Sequence, residues 1–253
     1  MKRLHDVPEV VARLLVSRGI SYDSAASFLN PSLRNDFPDP FALTGMDALA
    51  EDIAAKIENK TKISVFADFD VDGATSAAVL ARFLRHLGLE PDIYIPDRLS
   101  EGYGPNSDAL EKLKEQGAQS VILCDCGITA NEVIAQGKAL GLHLVILDHH
   151  EPSGDLPPAD HVIDPKRADD NSGFDMLAAV GVTFLTCVAI NNKLRESGYY
   201  KDGHVSEPPL KDWLDLVALG TVCDIVPLLG PNRLFVRYGL AGMQNTSNAG
   251  LRA

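Results

Sequence analysis

The stretch SVFADFDVDGATSAAVL (residues 64–80) begins as an apolar run, passes through Asp68, Asp70 and Asp72, and continues beyond Gly73 as a sequence fit for a helix. ISVFA (63–67) reads as a short buried strand, and GATSAAVLARFLRHLG (73–88) as a helix closed by Gly88. The three carboxylates therefore stand at the mouth of a buried strand. Downstream the same alternation repeats. DIYIP (92–96), SVILC (120–124) and LHLVIL (142–147) are strand-like, and NSDALEKLKEQG (106–117) and TANEVIAQGKALG (129–141) are helical. Strands alternating with helices predict an α/β fold, a predominantly parallel sheet flanked by helices on both faces.

HVIDP (161–165) adds a further short strand, and GFDMLAAVGVTFLTCVAINNKLRESG (173–198) a long, mostly buried helix. PLKDWLDLVALGTVCDIVPL (209–228) is a helix running into a loop, and YYKDGHVSEPP (199–209) a flexible surface loop. Ahead of the first strand, VPEVVARLLVSRGI (7–20), SYDSAASFLNP (21–31) and PDPFALTGMDALAEDIAAKI (38–57) carry helical spacing and proline punctuation. This predicts a small N-terminal helical segment over 1–50 and an α/β domain over 51–245. No internal repeat and no low-complexity segment interrupts the pattern.

Composition narrows the function. With 45% hydrophobic and 23% charged residues among 253, the chain can bury a substantial core. It contains no apolar run near the roughly 18 residues of a membrane span, so no membrane partner is expected. MKRLHDVPEVVARLL (1–15) has basic residues but neither an apolar h-region nor a small-residue cleavage site, which points to the cytoplasm. Cys124, Cys126, Cys187 and Cys223 form no CxxC pair, so neither a zinc knuckle nor a disulfide framework is indicated. The formal charge of −12 has the wrong sign for holding nucleic acid by surface charge alone. A polyanionic substrate requires metal ions or a basic part outside this chain.

The acidic cluster at 68–72 has counterparts. Asp125 follows SVILC; Asp148, His149 and His150 follow LHLVIL; Asp224 follows WLDLVALGTVC. In an open parallel sheet, binding groups gather beyond the carboxyl ends of the strands. Clustered carboxylates repel one another and resist desolvation, so a shared site calls for cations or raised pKa values. Oxygen-rich ligation with one or two imidazoles suits manganese or magnesium, and a bridging carboxylate can hold two ions about 3.5–4 Å apart. Taken singly, each feature has an ordinary reading. A DxD can be a solvated turn, a His-His pair can pack or cap, Asp224 can cap a helix before IVPL, and Asp125 can close a turn with Gly127.

Together, DFDVDGATSAAVL (68–80), LCDCGIT (123–129), LDHHEP (147–152) and ALGTVCDIVPL (218–228) resemble the four motifs of the DHH phosphoesterases. More narrowly, they resemble the RecJ single-stranded-DNA exonucleases. VARLLVSRGI, FLNPSL, DPFALTGMDAL, IPDRLSEGYGPN and VIDPKR extend the likeness over nearly the whole chain. The resemblance implies two Mn2+ or Mg2+ ions. In it Asp70 and Asp72 are ligands, one for each ion, Asp125 is the bridging carboxylate, and His149 and Asp224 complete the set. Asp68 is a further acidic ligand of the RecJ branch. His150 and Asp125 are the catalytic residues, His150 stabilising charge on the phosphate or aiding proton transfer, while Asp148 orients a histidine or anchors the turn. Ala67, Phe69 and Cys223 depart from the residues usual at those positions, Gly, Tyr and a small residue, without removing a ligand. Cys124 and Cys126, alternate residues at a strand end, pack rather than ligate.

The implied activity is 5′ to 3′ hydrolysis of single-stranded DNA to 5′-mononucleotides in DNA repair and recombination. In PDRLSEGYGPN (96–106), Arg98 can meet a phosphate and Tyr103 can stack on a base, with Gly102 and Gly104 allowing close approach. The same segment can equally be a turn-rich connection with Arg98 in a local ion pair. NTSNAGLRA (245–253) resembles the start of the helix joining this core to a C-terminal part, so 246–253 is expected to lead into it and the chain to be a truncated core. Single-stranded DNA is the expected partner, with a helicase and a single-strand binding protein. Two other readings remain: a DHH-family enzyme acting on pyrophosphate, short oligonucleotides or cyclic dinucleotides, and a non-catalytic scaffold. A nucleotide-binding oxidoreductase is disfavoured, because no GxGxxG follows the first strand.

Overall fold

A computed structural model describes residues 7–252. The expectations for the extreme N-terminus, residues 1–6, lie outside the described residues. Five parallel strands form one sheet: β1 (Ile63–Ala67), β2 (Ile93–Tyr94), β3 (Ser120–Cys124), β4 (His143–Leu147) and β5 (His161–Ile163), in the order β2-β1-β3-β4-β5. Among the described residues the helices are α1 (Glu9–Ser17), α2 (Ala25–Leu29), α3 (Met46–Glu58), α4 (Val71–His86) and α5 (Ser107–Glu115). They continue with α6 (Asn131–Ala139), α7 (Ala179–Ser197), α8 (Leu214–Cys223), α9 (Gly230–Met243) and α10 (Ala249–Arg252). The α/β architecture is the one the alternating pattern predicts.

Burial follows the two-residue period of the strands. Val65, Ala67, Ile122, Cys124, Val145, Leu147 and Ile163 face the larger core, with α3, α4, α7, α8 and α9. Phe66, Val121, Leu123, Leu144, Ile146 and Val162 face a second core, closed by Leu110 and Leu113 of α5 and Ile134 of α6. Each fully buried Val, Leu, Ile or Phe contributes about 1.5–3 kcal/mol. Both faces of β1 and β3 are covered, so these strands hold the centre.

Register fixes what happens at the carboxyl edge. Ala67 pairs with Cys124, Cys124 with Leu147, and Leu147 with Ile163. The last residues of four strands therefore stand in one row. Backbone bonds carry that row one step further: Asp68 N donates to Cys124 O (3.2 Å), Asp125 N to Leu147 O (2.9 Å), and Asp148 N to Ile163 O (3.1 Å). The residue after each of these four strands is an aspartate: Asp68, Asp125, Asp148 and Asp164. The chain leaves β1 for β2 on one side and β3 on the other, so the crevice at this edge opens between Asp68 and Asp125.

Three features differ from the sequence reading. The long helix begins at Ala179, not near Gly173, because the first amides of α7 are taken by a distant carboxylate described below. α9 has no counterpart in the pattern; it opens on Gly-Pro-Asn and contains Gly239, where a Cβ would lie 2.1 Å from Leu214 O and 2.4 Å from the Ala218 side chain. That glycine lets α9 lie directly on α8. The stretch 199–209 is a surface loop, but Tyr199 and Tyr200, edge to face with each other (5.4 Å), pack against the core and anchor it. Helix α2 is tied to α9, where Arg233 Nε donates to Phe28 O and Arg237 Nη1 to Leu29 O (3.2 Å). Helix α3 runs through residues 50 and 51 and packs on the main core.

Candidate metal centre

Asp68 ends the β1 row, with 2% of its surface exposed and Oδ1 without a hydrogen-bond partner. Two residues on, Asp70 is exposed and caps α4, its Oδ1 accepting from Gly73 N at 2.9 Å. Gly73 is obligatory there, since a Cβ would meet Asp68 O at 2.4 Å. Asp72, in the first turn of α4, points the other way. Its carboxylate accepts from the amides of Ala179 (2.7 Å) and Val180 (2.9 Å), so it caps α7 from a position 107 residues earlier in the chain. Negative charge at that helix start is favoured by the helix dipole.

Asp125 is held at φ 62°, a left-handed conformation uncommon for any residue but glycine. Local strain of this kind persists where the surroundings over-determine it. Its Oδ1 is buried and unpartnered. His149 Nδ1 lies 3.0 Å from Leu177 O. A carbonyl only accepts, so Nδ1 is the donor, and Nε2 is the ring nitrogen left for a ligand. That Nε2, also buried and unpartnered, lies 3.4 Å from Asp125 Oδ1 and 3.7 Å from both Asp72 Oδ2 and Asp224 Oδ2. Asp224 stands directly after α8, where Gly220 brings that helix against α4 and α7: a Cβ there would lie 2.2 Å from Thr75 Oγ1. No helix follows for Asp224 to cap until α9.

Asp148 is fully buried and orients its neighbours. Its Oδ2 accepts from Ile128 N (3.0 Å), and its Oδ1 from His149 N (2.8 Å) and His150 Nδ1 (2.7 Å). Ligand-type atoms fall into three overlapping groups, each within 4.8 Å: Asp72, His149 and Asp224; Asp68, Asp70 and Asp125; and Asp125, His149 and His150. The structure thus brings together every acidic and histidine residue singled out for the site.

The electrostatics are those of an uncompensated carboxylate nest. Burial, with Asp72, Asp70 and Asp148 adding like charge, pushes Asp125 up to about 10. Burial lifts Asp72 to about 6, opposed by His149 and the two capping amides. Asp68 and Asp224 shift upward too, burial being the largest cause in each. Asp148 moves the other way: burial works against its charge, but the bonds from His150, Ile128 and His149 prevail. His150, held first by its bond to Asp148, rises to about 9 and is a cation at neutral pH. Orphaned inward-facing Asp68 Oδ1, Asp125 Oδ1 and His149 Nε2 form an oxygen-rich donor set that fits hard divalent cations.

Over this edge lies the 95–104 connection. The Arg98 guanidinium sits 5.2 Å above the Phe69 ring. Tyr103 meets Phe69 (6.5 Å) and His150 (6.1 Å) edge to face and approaches Asp125 O through its hydroxyl (3.5 Å). Sequence reasoning missed Asp164, which is buried, has an unpartnered Oδ2, and is raised to about 6 by burial. Its signal was available, an aspartate directly after an apolar run, but the run in HVIDP is only three residues long. Leu177, whose carbonyl sets the His149 tautomer, carries no such signal. Cys124 and Cys126 are buried, and their thiols are pushed well up by burial.

The fold and this edge define an α/β protein with a carboxylate and histidine centre at the switch point of its sheet. The model of the DHH family, N-terminal domain, matches residues 62–221, and the chain belongs to the DHH family. The single-stranded-DNA-specific exonuclease RecJ of Bacillus subtilis (strain 168) is 38% identical over 251 residues, covering 99% of this chain and 30% of that protein. Among solved structures, exonuclease RecJ bound to manganese is 31% identical with a TM-score of 0.72, over 83% of this chain and 51% of that one. RecJ from Thermus thermophilus in complex with Mn2+ is 28% identical with a TM-score of 0.77, over 99% and 34%. The chain spans 30% to 40% of the length of the first curated relatives it matches. No helix among the described residues is long and apolar enough to cross a membrane.

Proposed function

We propose that this chain carries the catalytic core of a metal-dependent phosphodiesterase, a 5′ to 3′ exonuclease of single-stranded DNA. The observation that carries the reading is the pair of buried, unpartnered atoms Asp125 Oδ1 and His149 Nε2, 3.4 Å apart between two carboxylate groups. Asp72, His149 and Asp224 would hold one divalent cation, and Asp68 and Asp70 the other, with Asp125 available to both. Manganese or magnesium bound there supplies Lewis-acid stabilisation of charge on the phosphoryl oxygens. His150, kept protonated by Asp148, donates to a phosphate oxygen or to the leaving oxygen. Arg98 meets the backbone phosphate and Tyr103 stacks on a terminal base. The proposed division is a catalytic domain over 51–245 with an N-terminal segment, 1–50, whose helix α2 docks on α9, and 246–253 as the start of a connection.

The names of the similar proteins support single-stranded DNA as substrate. A single-stranded end must be exposed before it is cut, so a helicase and a single-strand binding protein, in the cytoplasm, are the partners that fit. The test is release of mononucleotides from 5′-phosphorylated single-stranded DNA with Mn2+, comparing the chain with Asp125→Ala. The expected result is a loss of at least about 10³-fold. Cleavage of pyrophosphate or cyclic dinucleotides but not DNA would move the substrate. Metal binding with no hydrolysis of any of these would leave a scaffold.

A further inference from the structure

We propose that Asp52, His143 and His161 form a second cation site, for a borderline divalent ion such as zinc, at the opposite edge of the sheet. His143 opens β4 and His161 opens β5. Val145 pairs with His161, so the two imidazoles project on one face of neighbouring strands, with ring centroids 5.8 Å apart. Asp52 of α3 meets both: its Oδ2 lies 2.9 Å from His143 Nε2 and 3.2 Å from His161 Nε2. Zinc bonds of roughly 2.0–2.1 Å arranged tetrahedrally place ligand atoms about 3.3 Å from one another. The observed spacings are close to that edge, and the three atoms lie within 4.8 Å of one another.

The surroundings hold these ligands in place. Ser120 Oγ, fully buried, sits 2.9 Å from His143 Nδ1, and Lys56 Nζ grips the other Asp52 oxygen at 2.7 Å, leaving Oδ2 for the ion. The nearby Asp160 is occupied by Lys138 (2.6 Å) and the Leu144 amide (2.8 Å) and adds no ligand. Two nitrogens and one oxygen suit zinc over manganese or magnesium, the reverse of the acidic edge. Side-chain exposures of 17%, 18% and 28% leave a fourth position open to water or an external ligand. Five residues of strand separate His143 from Asp148, about 16 Å, so the two centres are distinct. The Lys56 ammonium opposes a cation and sets the affinity below that of a closed structural site.

The experiment counts Zn2+ equivalents retained after dialysis, and records the Co2+ ligand-field spectrum, for the parent, His161→Gln and Asp52→Asn. Expected are one equivalent fewer in each variant and loss of the intense tetrahedral cobalt bands, with Mn2+ titration of the acidic edge unchanged. Asp52→Asn, on a helix surface, carries the test if His161→Gln does not fold. Equal zinc content and an unchanged cobalt spectrum in the folded variant would overturn the site, leaving two ring N–H groups hydrogen-bonded to Asp52.

Discussion

Asp125 concentrates the energetics of the acidic edge in one side chain. Folded, its carboxyl keeps its proton up to about 10; unfolded, an aspartate loses it near 4. The folded state therefore binds more protons across that window, so metal-free stability is greatest at low pH and declines as pH rises from about 4 toward 10. Asp125→Asn removes the burden. Thermal melts in chelator should show the variant more stable than the parent at pH 8, by about 2 kcal/mol, with a flatter pH profile and no rise on adding Mn2+. A parent that is less stable at pH 5 than at pH 8 in chelator would contradict this. At the neighbouring Tyr103, stacking on a base is worth about 1–3 kcal/mol. Tyr103→Ala should weaken single-stranded DNA binding about tenfold, leaving Mn2+ affinity intact, and an unchanged DNA titration would deny the platform. Asp68, Asp125 and Asp148 were legible because each ends a five-residue apolar run. Asp164 was not, because a three-residue strand leaves little periodicity to read. The opposite aims of Asp70 and Asp72, one capping its own helix and the other capping α7, depend on contacts that no local pattern encodes.

Strands and helices in the central alternation were legible for a related reason: their burial on two faces imposes period and length. Helix α9 was not. It opens on Gly-Pro-Asn and carries Gly239 and Gly242, residues that lower helix propensity by about 1 kcal/mol each. Tertiary contact with α8 overrides that preference. Propensity alone would make Gly239→Ala stabilising, but the added carbon would sit 2.1 Å from Leu214 O, backbone that cannot turn aside. Denaturant titration should show a loss of about 2–3 kcal/mol. A gain would mean that the two helices separate readily. The start of α7 was displaced from its expected position for the same kind of reason, because Asp72 terminates it from across the fold.

At the scale of the whole chain, 35 acidic residues against 23 basic ones leave a net −12 to be reconciled with the polyanionic substrate proposed above. Two divalent cations at the carboxyl edge would offset four of the five negative charges of Asp68, Asp70, Asp72, Asp125 and Asp224. Binding of Mn2+ to the folded state alone should raise stability by about 2.7 kcal/mol at a hundredfold excess over Kd, and chelation should reverse it. Single-stranded DNA affinity should depend on Mn2+ more than on salt. With one or two phosphates met by side-chain cations, the log–log salt slope should be near −1, whereas a slope beyond about −4 would reveal a basic groove this reading lacks.

The in-register row that ends four strands gives the molecule a property of its own. A strand that pairs one residue out of step turns its side chains to the opposite face and withdraws its aspartate from the row. Such a chain can be compact and helical and still take up no ion. Metal content per molecule is therefore a tally of correctly threaded sheets, and a preparation's manganese-to-protein ratio measures the fidelity of its folding before any substrate is added.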